Sequence, residues 1–192
     1  MLDSAACGVT TGMLRKLALP MPKKLQAKRS ALAAAAGTVG PAPVVQVGAL
    51  CWRRTRRGQV RVLLITSRDT GRWVIPKGWR MRRLSEAEAA AREAYEEAGV
   101  RGEVSDRSLG FFPYLKNFGH GRRALCLVRV FPLEVRQMLR EYPETGQRRI
   151  KWFALDKAAG KLDEPDLAAM VREFDPDGHA AALAEPASEP VA

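Results

Sequence analysis

GWRMRRLSEAEAAAREAYEEAGV, residues 78–100, decides how the rest of the chain is read. Ser85 followed three residues later by Glu88 forms a capping box, so a helix is predicted to begin at Glu86. Ala89, Ala90, Ala91, Ala94 and Ala98 favour that helix and let it pack closely on a sheet. Gly99 is placed to end it in the left-handed conformation. On this helix Glu93, Glu96 and Glu97 fall within roughly a 100° arc, so their oxygens are expected to converge. Three such carboxylates repel one another unless cations stand between them, and hard oxygen donors favour Mg²⁺ or Mn²⁺. The competing interpretation is an ordinary solvated helix face with intrahelical ion pairs.

Working outward, Val44–Trp52 (VVQVGALCW) and Val60–Thr66 (VRVLLIT) are apolar runs separated by a basic turn, the pattern of strand, turn and strand. Trp73-Val74-Ile75 is a short extended piece leading into Pro76-Lys77-Gly78 and a loop that runs to Leu84. After a variable stretch, Arg123–Phe131 and Ile150–Leu155 are predicted as strands and Pro165–Phe174 as an amphipathic helix. The domain is expected to span residues 44–175. Residues 1–43 carry six Lys or Arg and one acid, which predicts a basic disordered arm. A transit peptide, or a start placed too far upstream, would give the same composition. Residues 176–192 read as a low-complexity, disordered tail.

With 192 residues, 46% hydrophobic and 28% charged, the chain has enough material for one core with tails. No apolar run is long enough to span a bilayer, so a soluble protein is expected. Cys7, Cys51 and Cys126 lack metal-type spacing and are interpreted as reduced thiols, which places the protein in the cytoplasm, with Cys51 and Cys126 in the core. The net charge of +11 suits nucleic acid, an acidic membrane surface or a polyanionic small substrate, and charge alone does not choose.

The block Arg92-Glu93-Ala94-Tyr95-Glu96-Glu97-Ala98-Gly99-Val100, with Gly78 at the start, resembles the Nudix hydrolase box. The isolated Glu of that box falls on Leu84 here, and Trp79 stands where many members have a second Gly. Pro76-Lys77-Gly78-Trp79, Phe131-Pro132-Leu133-Glu134-Val135 and Arg149–Phe153 are similar to a bacterial branch related to the diphosphoinositol polyphosphate phosphohydrolases. The resemblance implies an α/β/α sandwich with a mixed sheet, and metal-dependent hydrolysis of a phosphoanhydride. It implies metal ligands at Glu93, Glu96, Glu97 and Gly78, with Glu96 alternatively a base and Arg92 orienting the carboxylates. Glu86 or Glu88, the latter at better helical spacing, would replace the missing partner of Arg92. Glu141 or Glu144 would supply an auxiliary carboxylate.

The implied substrates are diphosphoinositol or dinucleoside polyphosphates. Lys77, Lys116, Arg122 and Arg123 are the candidate phosphate ligands, although Arg122 and Arg123 could equally solubilise a strand end. His120 and His179 are read as surface residues. Three alternatives stand beside this reading. One is a nucleotide pyrophosphohydrolase with Trp79, Phe112, Tyr114 or Phe118 as a base-stacking shelf; another is a non-catalytic nucleotide-binding module of the same family. The third is nucleic-acid binding by charge alone, which lacks a motif.

Overall fold

The computed structural model describes residues 43–117 and 123–184. Its elements are β1 (Val44–Arg54), β2 (Val60–Thr66), β3 (Trp73–Val74), β4 (Lys77–Trp79), α1 (Glu86–Ala98), β5 (Val100–Val104) and β6 (Gly110–Asn117), followed by β7 (Arg123–Met138), β8 (Ile150–Ala154), α2 (Leu155–Ala159), α3 (Pro165–Arg172) and α4 (Pro176–Ala184).

β1 and β7 pair in parallel over Val44–Trp52, and every other pairing in the sheet is antiparallel. β1 is central because its side chains alternate between two apolar layers. Val47, Ala49 and Cys51 face the alanines of α1, while Leu50 lies in the opposite cluster with Leu167 and Val171 of α3 and Phe174. The result is an α/β/α sandwich on a mixed sheet. Cys51 and Cys126 are buried free thiols, and Cys7 lies outside the described residues. No described helix is long and apolar enough to cross a membrane.

α1 begins and ends where its caps dictate. The Ser85 hydroxyl accepts from the Glu88 amide at 3.2 Å, and the Glu88 carboxylate accepts from the Ser85 amide at 2.7 Å. Gly99 adopts φ 65° and returns its amide to Tyr95. An added Cβ there would meet Tyr142 Cδ1 at 2.5 Å.

The stretch between α1 and β7 contains two strands, β5 and β6. β6 carries Pro113, which it tolerates because it pairs only with β7 and its other edge needs no ladder donor. The expected tail is corrected over Pro176–Ala184, which form α4. Pro176 opens that helix, the Asp175 side chain accepts from the Asp177 amide at 3.0 Å, and the alanines that follow sustain it. His179, expected on a plain surface, shares a hydrogen bond of 2.9 Å with Ser105 Oγ.

Gly99→Ala is expected to cost about 2 kcal/mol or more, because an L residue must hold the left-handed conformation while its Cβ displaces Tyr142. A urea midpoint equal to wild type would refute that account of the helix end.

Candidate active site

Glu97 is the only charged residue that α1 buries. Its Oε2 accepts from the backbone amide of Lys77 at 2.9 Å, and its Oε1 accepts from Arg148 Nη2. Four residues earlier, Glu93 accepts from the backbone of Trp79. The amides of residues 77 and 79 point to the same edge of β4, and the opposite edge is taken up by β1. Two neighbouring carboxylates thus close the free edge of a three-residue strand.

Gly78 lies between those amides, directly under Glu93. A Cβ on it would fall 2.1 Å from the Glu93 carboxyl carbon, so no side chain fits while that carboxylate keeps its place. Burial, followed by Glu97, Glu96 and Glu144, pushes the Glu93 carboxyl up to about 7. Glu97 is also pushed up by burial, against the opposing pull of Arg148 and the Lys77 amide.

Of the two auxiliary carboxylates, Glu144 comes to the site. Its amide donates to the Glu96 carbonyl at 3.0 Å, and its Oε2 accepts from Arg148 Nε at 2.8 Å. Glu141 is exposed. Arg148, which sequence reasoning did not single out, is the link: buried, it bonds Glu97, Glu144 and the Thr66 carbonyl, the last at 3.1 Å. Its spacing of four residues from Glu144 was a detectable signal, but the distant contact to Glu97 was not.

Glu96 is near enough to help raise the Glu93 carboxyl, but its own carboxylate is tied to Arg92. Its Oε1 accepts from Arg92 Nε at 2.5 Å on the more exposed side of the helix. The expectation that Glu86 or Glu88 would hold Arg92 is therefore corrected. Glu88 is committed to the cap, and Glu86 pairs with Arg80 at 3.0 Å and Arg129 at 2.7 Å. Leu84 is exposed in the loop.

On the other side of β4, Lys77 Nζ lies 4.9 Å from the centroid of the Tyr114 ring, and Lys116 Nζ lies 5.3 Å from that of Trp79. The two ammonium groups are close enough for Lys116 to lower the Lys77 pKa, although burial is the larger cause. Tyr114 donates to the buried Gln46 at 2.5 Å. Arg123 is exposed at the start of β7, where it pairs with Asn117 of β6, and Arg122, His120 and Phe118 lie outside the described residues. As a stacking shelf Phe112 is excluded, because it is core; Trp79 is the exposed aromatic.

The NUDIX domain family matches residues 44–174. The chain belongs to the Nudix family. It is 32% identical over 151 residues to diphosphoinositol polyphosphate phosphohydrolase 3-alpha of Mus musculus, covering 73% of this chain and 87% of that protein. The MutT protein from Methanosarcina mazei Go1 superposes with a TM-score of 0.52 at 22% identity, over 72% of this chain and 98% of that one. A C. elegans Ap4A hydrolase in a binary complex superposes with a TM-score of 0.50 at 22% identity, with the same coverage. These structural likenesses carry the fold. The chain is accordingly a Nudix phosphoanhydride hydrolase.

Nudix enzymes use divalent metals. Glu93, Glu97 and Glu144 fit such a group in their chemistry: hard oxygen donors, with Glu93 pushed up to about 7 by burial and then by the neighbouring carboxylates. Among the described residues no three metal-binding side chains already form a coordination sphere; Arg148 pairs with Glu97 and Glu144, and Arg92 with Glu96.

In the metal-free protein the raised Glu93 pKa means that the folded state binds the proton more tightly than the unfolded state. Stability therefore falls as pH rises from 4.5 to about 7. Glu93→Gln in EDTA is expected to melt higher than wild type above pH 7, by roughly a few degrees, and to match it near pH 4.5. A melting difference that does not vary with pH would refute this.

Proposed function

We propose that this Nudix hydrolase cleaves phosphoanhydride bonds of densely phosphorylated small molecules, either diphosphoinositol polyphosphates or dinucleoside polyphosphates. Mg²⁺, with Mn²⁺ as a substitute, would be held by Glu93, Glu97 and Glu144, with the Gly78 backbone and Glu96 beside them. When bound, such cations neutralise phosphate oxygens and make a coordinated water acidic enough to attack phosphorus. The observation that carries this reading is the junction at β4. The Lys77 amide holds Glu97 while the Lys77 side chain projects to the face where Lys116 lies.

A polyphosphate lying across β4 would thus meet the carboxylate cluster on one side and two ammonium groups on the other. Arg148 holds Glu97 and Glu144 in register with the cluster, a positioning role. Arg92 fixes Glu96 and through it the last turn of α1, whose carbonyl receives Glu144. Arg122 and Arg123 would extend the cationic rim. Specific nucleic-acid binding is not part of this reading, and the buried thiols of Cys51 and Cys126 suit a reducing compartment such as the cytoplasm.

The exposed ring of Trp79, backed by Lys116, favours a nucleotide arm as the second reading within the same chemistry, because a base can stack where an inositol ring gains little. A panel of diphosphoinositol, dinucleoside and nucleoside polyphosphates, assayed with Mg²⁺ and Mn²⁺ and with products identified, separates these substrates. Glu97→Gln is expected to reduce turnover roughly 10³-fold while leaving the fold intact. A purified wild-type protein inert towards every member of the panel would sink the proposal.

A further inference from the structure

On the sheet edge formed by β8, away from the carboxylate cluster, Arg61, Lys151, Lys157 and Lys161 line a surface cavity of about 470 Å³ together with Trp152 and Phe153. Nothing in the hydrolytic chemistry uses this cavity. Among the described residues none of these four cations makes an ion pair. Arg56, Arg57, Arg82, Arg83 and Arg140 likewise make no ion pair among the described residues, so what marks these four is that they line one concavity. The acid adjoining the cavity, Asp156, is turned towards Arg172 at 3.9 Å.

Two of the cations share one anchor. Lys151 Nζ and Lys161 Nζ lie 5.7 Å and 5.5 Å from the centroid of the same Phe153 ring, which is buried in the core and so fixes both stems. Lys151 comes from the edge strand and Lys161 from the turn after α2, so the fold, not one flexible segment, gathers the charges. Like charges held together around a concavity repel unless an anion joins them. An ammonium presents a compact point charge that suits phosphate oxygens.

We propose that this cavity is a second anion site, taking a small oligophosphate chain and separate from the hydrolytic centre. Its size suits a small molecule. A single nucleic-acid strand is disfavoured because both aromatic rings are already engaged: Phe153 is buried, and the Arg53 guanidinium lies 4.1 Å from the Trp152 ring centroid. The Trp152 face that Arg53 covers is closed to base stacking.

The test is calorimetric titration of the full chain with tripolyphosphate in EDTA, which silences turnover. Wild type is expected to show binding that Lys151→Ala/Lys161→Ala weakens roughly a hundredfold or more, on the scale of two charge-assisted hydrogen bonds. Lys157→Ala should weaken it in the same direction. Lys77→Ala/Lys116→Ala, at the hydrolytic centre, should leave this site in place, as should the charge control Arg56→Ala/Arg57→Ala in the β1–β2 turn. Amide exchange should slow over residues 150–161 on titration. Three results would overturn the proposal: no tripolyphosphate binding, a loss equal to that of the charge control, or a Lys151/Lys161 effect confined to a single-stranded oligonucleotide.

Discussion

The site depends on one close approach, the Glu93 carboxylate resting on the backbone of Gly78. The separation leaves no room for a Cβ, so α1 and β4 lie at a fixed depth relative to each other. The alanine face of α1 sets that depth from the other side, since Ala87, Ala90, Ala94 and Ala98 are buried among Val47, Ala49 and Cys51. Larger residues on that face would lift the helix and carry Glu93 and Glu97 away from the amides of β4. The core packing and the electrostatics of the site are therefore one constraint.

Burying these carboxylates carries a cost, visible in the raised Glu93 and Glu97 carboxyls, to which their mutual crowding adds. Arg148 offsets part of it. Its guanidinium reaches Glu97 and Glu144 together, and through Thr66 it also fastens the end of β2. A buried arginine shared by two carboxylates is a cation already in place, and a divalent cation must compete with it or rearrange around it. Because Glu144 is also tied to the Glu96 carbonyl, such a rearrangement involves the loop before β8 as well as side chains.

What was legible in the sequence was what local chemistry specifies. Ser85, Glu88 and Gly99 bound the helix without help from the rest of the fold, and the apolar runs of β1, β2 and β7 mark strands buried on both faces. β5 was hidden because Val100–Val104 has no apolar run and shifts register at Gly102, and β6 because Pro113 interrupts it. The partner of Arg92 follows from the same chemistry: a Glu88 that closes a capping box is not free to serve the arginine four residues on, which leaves Glu96, four residues further, to take it. Arg148 was not legible, because its contact with Glu97 joins segments 51 residues apart.

Strand β4 also shows how a three-residue element can hold two sets of charged groups at a fixed separation. Its edge amides at Lys77 and Trp79 face the carboxylates, whereas the side chains of the same residues meet Tyr114 and Lys116. A strand fixes the distance between its edge and its side chains far more tightly than a loop could. The separation between the carboxylate cluster and the ammonium pair is thus set by backbone geometry, pinned to β1 through Gly78 and Val47. Substitutions of the Lys77 side chain should leave the carboxylates where they are, since it is the backbone that holds Glu97, whereas any change that shifts β4 against β1 must disturb both halves at once.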